Sequence, residues 1–145
     1  MVIAAVRPTH RSASTRIRSV LRPAAVLVAA GAATAYVAAV DPNQAGHYPT
    51  CPFLFVTGWY CPGCGSLRAV NALAHGDVPT AFARNPLLVL SLAVLAVIWA
   101  RWLRRSWLGS IRATAVPGWV VWGSLGVVCV FWVLRNLPGF AWLAP

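Results

Sequence analysis

Negative charge is almost missing from this chain. Among 145 residues the only acids are Asp41 and Asp77, glutamate and lysine do not occur, and all 12 cations are arginine. Only 10% of the residues are charged while 59% are hydrophobic, whereas a soluble domain is roughly a quarter charged. Three long apolar runs lack the polar outer face that buried helices of a soluble domain would need. None of them holds an acid or a central base, which argues against an ion transporter. The net charge of +10 does not mark a nucleic-acid binder, because the arginines cluster at the ends of apolar runs instead of forming a basic face. A second cysteine pair is also missing: three of the four cysteines lie within residues 51–64, and Cys129 sits alone in the third run.

What is present reads as a membrane protein. Residues 23–40, 86–103 and 117–134 are each close to the roughly 20 helical residues that cross a hydrocarbon core of about 30 Å. Each opens on a proline, Pro23, Pro86 or Pro117, a residue that a helix tolerates at its first position. Trp99, Trp102, Trp107, Trp119 and Trp132 suit an interfacial belt. The expected fold is therefore an all-α integral membrane protein with three transmembrane helices and an extracytoplasmic cysteine loop carrying short interfacial helices. Its segments are a basic arm 1–22, span 23–40, the cysteine loop 41–85, span 86–103, a basic loop 104–116, span 117–134 and a tail 135–145. Nine arginines fall in or beside the arm and the second loop (Arg7, Arg11, Arg16, Arg18, Arg22, Arg101, Arg104, Arg105, Arg112), against Arg68, Arg84 and Arg135 elsewhere. That bias places the N-terminus in the cytoplasm and the cysteine loop outside, in a multi-pass protein of the cell membrane. Residues 1–40 also have the form of a signal peptide. Anchor or cleaved leader, the loop ends on the same side.

Within the loop, residues 41–50 are turn-rich, and Phe53–Val56 reads as a short strand-like or re-entrant piece. Ser66 is the expected N-cap of a helix to His75, stopped by Gly76, and Asp77 or Thr80 of a shorter helix ending near Arg84–Asn85. On the first of these, Arg68, Asn71 and His75 share one stripe. It either faces water or turns Arg68 and His75 towards a ligand, or towards Asp77.

The chemistry lies in Cys51, Cys61 and Cys64. Cys61-Pro62-Gly63-Cys64-Gly65 has the form of a metal knuckle, in which two thiolates on a tight turn hold one ion, and tetrahedral zinc takes four such ligands. As the fourth, His75 would stand about 15 Å from Cys64 along a helix. His47, four residues before Cys51, is the better candidate. Two other readings stay open. Cys-x-x-Cys at a helix start is also a redox motif, with Cys61 and Cys64 as the exchanging pair and Cys51 as shuttle. A plain disulfide from Cys51 to either partner would staple the loop in an oxidising compartment.

Cys51-Pro52-Phe53, then Thr57-Gly58-Trp59-Tyr60-Cys61-Pro62-Gly63-Cys64-Gly65-Ser66-Leu67-Arg68-Ala69, then His75-Gly76-Asp77, Ala81 and Asn85-Pro86-Leu87 resemble a family of small bacterial membrane proteins, the domain of unknown function family numbered 2752. The resemblance covers about residues 50–95. It implies a membrane helix after the motif, no settled activity, and motif residues Cys51, Cys61, Cys64, Gly65, Arg68, Gly76, Asp77, Asn85 and Pro86. It raises Gly65, Arg68, Asp77 and Asn85 as supporting residues, with a buried Arg68–Asp77 pair as one way to fix helix to loop. The leading expectation is a metal-stabilised interaction or assembly module, holding zinc before iron. Whether it is an enzyme stays open, the leading reading being a non-catalytic one, and its partners are the bilayer and other membrane proteins, not nucleic acid. The alternative is a membrane-embedded thiol–disulfide oxidoreductase using Cys61 and Cys64.

Overall fold

The computed structural model describes residues 13–108 and 116–145, with side chains from residue 20 onward. Arg7, Arg11 and Arg112 of the expected basic segments lie outside the described residues. The order is α1 Ala13–Ala39, α2 Pro52–Thr57, α3 Ser66–Ala74, α4 Val78–Arg84, α5 Pro86–Trp107, α6 Gly118–Leu134 and a closing 3-10 turn Pro138–Leu143. Among the described residues there is no strand.

Two helices are long and apolar enough to cross a membrane: Val20–Ala39 within α1 and Pro86–Trp107. Their most apolar windows are 11% and 0% buried, so neither is the covered core helix of a soluble protein. The third expected span comes up short. α6 has 17 residues, about 25 Å at 1.5 Å per residue, against a core of about 30 Å. Gly118 follows Pro117, which stands as the N-cap in an extended conformation.

Other boundaries differ for identifiable reasons. α1 begins at Ala13 and carries Pro23 in its interior. Proline removes one helical amide, yet the helix continues around it. Pro23 is fully buried, and its carbonyl accepts from the Trp99 indole of α5 at 3.0 Å. α5 runs on to Trp107 through Arg101, Arg104 and Arg105, all good helix formers. Phe53–Val56 is helical, not strand-like: Pro52 at the first turn and Gly58 at φ 72° after the last bracket one and a half turns. Ser66 is the first residue of α3, whose N-cap is Gly65. Asp77 caps α4 by accepting from the Thr80 amide at 3.0 Å.

α1 packs against α5 and α3, and α3 against α4. The last carbonyls of α1 find partners in the loop that follows. Asn71 of α3 donates to Val37 at 2.8 Å, and the Tyr48 hydroxyl donates to Val40 at 3.2 Å. Between α3, α4 and α5 the core consists of Ala69, Ala72 and Ala81, with Leu73, Leu88 and Val89 around them. Methyl-sized side chains let these short helices lie close together, and the cysteine turn rests on that platform.

Candidate metal centre

Two turns and one arginine bring the thiols together. Cys51 stands at the N-cap of α2, so its sulfur faces the free amides of the first turn. Hydrogen bonding from the Leu54 backbone, and then from the Cys61 and Cys64 thiols, holds the Cys51 thiol below its ordinary pKa against the opposing effect of burial. After α2 the chain returns through Trp59 and Tyr60 to a tight turn, Cys64 N–H donating to the Cys61 carbonyl at 3.1 Å. Gly65 then sits at φ 81°. A Cβ there would lie 2.6 Å from both the Arg84 carbonyl oxygen and Pro145 Cβ, so this position needs glycine for its conformation and its close approach alike.

The sulfurs form one cluster. Cys51 Sγ is 3.6 Å from Cys61 Sγ, which is 3.2 Å from Cys64 Sγ, and all three lie within 4.8 Å of one another. Tetrahedral bonds of about 2.3 Å place neighbouring sulfurs about 3.8 Å apart, so small movements would set the three around one zinc-sized ion. Cys51 and Cys61 are half-buried and Cys64 is buried. Burial, and then the neighbouring Cys61 thiol, push the Cys64 thiol up to about 12. Without a cation in the cluster Cys64 therefore keeps its proton.

The carbonyls of the turn converge on two buried side chains. Asn85, 1% exposed, accepts from the Leu88 amide as N-cap of α5. Its Nδ2 donates to the carbonyls of Pro62 and Cys64 and to Ser66 Oγ at 3.0–3.2 Å. Arg135, 2% exposed, donates from Nη1 to Cys61 O at 2.9 Å and Pro62 O at 3.2 Å, and from Nη2 to Cys64 O at 3.2 Å. Its guanidinium also lies over the Phe131 ring at 4.9 Å. Burial lowers its pKa, while the Cys64 and Cys61 sulfurs oppose that shift. Among the described residues its Nε finds no acceptor. Next to it Asn136 grips Tyr60 at both ends, accepting from the amide at 2.8 Å and donating to the carbonyl at 3.0 Å.

Not every expected residue joins the cluster. His47 places Nδ1 2.9 Å from the Asp41 carbonyl and is not one of the clustered ligands. His75 ends α3 with Nδ1 2.8 Å from the Asn71 carbonyl. Arg68 and Asp77 are both exposed, so no buried pair joins helix to loop, and the Asp77 carboxylate serves α4 instead. Arg68 does line, together with all three cysteines, a cavity of about 740 Å³ between residues 42–50 and the cysteine turn. Cys129 is exposed on α6. Sequence reasoning missed Arg135 and Asn136, because one arginine closing an apolar run looks like an interfacial anchor. Only the chain's return to the cysteine turn reveals their role.

No curated protein and no solved structure matches the chain. Residues 51–99 match the family model described as Protein of unknown function (DUF2752), a stretch that opens on Cys51 and ends on Trp99, taking in the cysteine turn, α3, α4 and the first part of α5. Over this segment the chain is similar to the DUF2752 family.

Proposed function

We propose that this protein is a membrane-anchored metal-binding module in which Cys51, Cys61 and Cys64 hold one zinc ion through their thiolates. The observation that carries the reading is the cluster itself, three sulfurs within 4.8 Å of one another. Charge supports it. Three thiolates crowded together repel unless a cation joins them, and a divalent ion leaves one net negative charge beside the buried Arg135. Soft thiolate ligands favour zinc over harder cations. The metal would tie α2 to the turn before α3, stiffening the surface through which the module docks other membrane components. The arginine bias supports a cytoplasmic N-terminus and an extracytoplasmic site, and α6 would then be a third, slightly short span ending at Arg135.

The test is to purify the protein in mild detergent without chelator, measure metal per chain, and count reactive thiols before and after denaturation. About one zinc per chain with three protected cysteines is expected. A metal-free chain with a reducible Cys61–Cys64 disulfide would overturn the reading.

That second result would favour a thiol–disulfide oxidoreductase, for which one observation speaks. The lowered Cys51 thiol and the raised, buried Cys64 thiol flank Cys61 at 3.6 and 3.2 Å. That order would let a Cys61–Cys64 disulfide pass to Cys51–Cys61: the Cys51 thiolate attacks Cys61, and Cys64 leaves as a thiolate that takes up a proton.

A further inference from the structure

Three thiolates leave a tetrahedral zinc one position short, and a site with three protein ligands keeps that place for water or an incoming ligand. In the described structure the cluster consists of the three cysteines, and the imidazole of His47 is turned to the Asp41 carbonyl. All three cysteines line the cavity of about 740 Å³, a volume within the range of small-molecule sites. Its walls are the turn-rich segment 42–50 on one side and the opening of α3 on the other. Among the described residues lining it, Arg68 is the one cation, and it is exposed there.

From this arrangement, and resting on the metal reading above, we infer that the cavity takes a small anionic ligand, one donor atom completing the metal's coordination and a carboxylate meeting Arg68. The charges match. Arg135 lies buried against the cysteine turn and balances the single negative charge of a trithiolate–zinc unit. A further anion on the metal is balanced by Arg68, which lines the same cavity. The two acids of the chain do not compete for Arg68: Asp41 is bonded to Asn43 in its own turn and Asp77 caps α4.

The test uses full-length protein in detergent, reduced and without oxygen, loaded with cobalt(II) as a spectroscopic stand-in for zinc. Mercaptoacetate and mercaptoethanol are titrated in parallel, since they offer the same sulfur donor with and without a carboxylate. Both should change the sulfur-to-cobalt charge-transfer absorption. Mercaptoacetate should half-saturate at about fivefold lower concentration, the scale of one solvent-accessible ion pair, and Arg68→Gln should remove that preference while leaving the cobalt spectrum intact. Equal affinities, a preference that survives Arg68→Gln, stripping of the cobalt, or a spectrum that ignores both thiols but changes in His47→Ala would each overturn the inference. A chain that binds no cobalt would instead overturn the metal reading beneath it.

Discussion

A guanidinium that is 2% exposed needs a reason to be buried, because desolvating a charge is costly unless it is paired and hydrogen-bonded. Arg135 has both reasons at the cysteine turn, three carbonyls within 3.2 Å and the sulfurs behind them. Arg135→Ala should therefore destabilise the folded protein by about 3 kcal/mol, the scale of hydrogen bonds to a charged group. Arg135→Lys should not restore it, since an ammonium cannot fork across three acceptors. Thermal unfolding in detergent measures both. Gly65→Ala should cost at least about 2 kcal/mol by the same measurement, through a left-handed backbone and a Cβ 2.6 Å from a carbonyl oxygen. Titration of Cys64 sets a pH dependence. The thiol is pushed up to about 12, so at neutral pH metal binding must displace its proton. Zinc affinity should then weaken at least about tenfold per unit as pH falls from 8 to 6, as competition with a chromogenic chelator would show. The cysteines were legible in the sequence because three of them fall within residues 51–64, and the structure brings their sulfurs within 4.8 Å of one another. Arg135 was not, because nothing in an arginine 71 residues beyond Cys64 signals a fold-back.

Asn85 couples the site to an element. One amide side chain caps α5 through Oδ1 and fastens the cysteine turn through Nδ2. Asn85→Asp separates the two roles, since a carboxylate still accepts from the Leu88 amide but cannot donate to the Pro62 and Cys64 carbonyls. The expected outcome is retained helicity by circular dichroism with metal affinity lowered at least about tenfold, the scale seen when groups orienting metal ligands are removed. The short helices show what local signals can do. Gly76 and Asp77 marked the end of α3 and the cap of α4 because each supplies a backbone conformation or a hydrogen bond on its own. From sequence Phe53–Val56 reads as strand-like or re-entrant, since an apolar piece of four residues has no period long enough to tell helix from strand. Its helix is set by Pro52, by Gly58, and by Trp132 of α6, which meets Phe53 edge-on at 5.7 Å and Trp59 at 6.5 Å.

For the molecule as a whole, hydrophobic length made Val20–Ala39 and Pro86–Trp107 readable as membrane-crossing helices. On the same ground residues 117–134 read as a third span, yet α6 has 17 residues and no buried side chain. α6 meets the cysteine platform near its C-terminal end, through Trp132, Arg135 and Asn136. If α6 spans the bilayer and the site lies outside, a reporter active only outside the cytoplasm should work when fused after Asp77 and fail when fused after Arg112. The opposite pattern would reverse the orientation. The central claim, that Cys51, Cys61 and Cys64 hold one metal together, is tested most directly by zinc-edge X-ray absorption on the protein purified without chelator. The predicted signal is three sulfur neighbours at about 2.3 Å with a fourth, lighter atom, falling to two sulfurs in Cys51→Ser. Two sulfurs or fewer around the metal in the unaltered protein, or no bound metal at all, would contradict it.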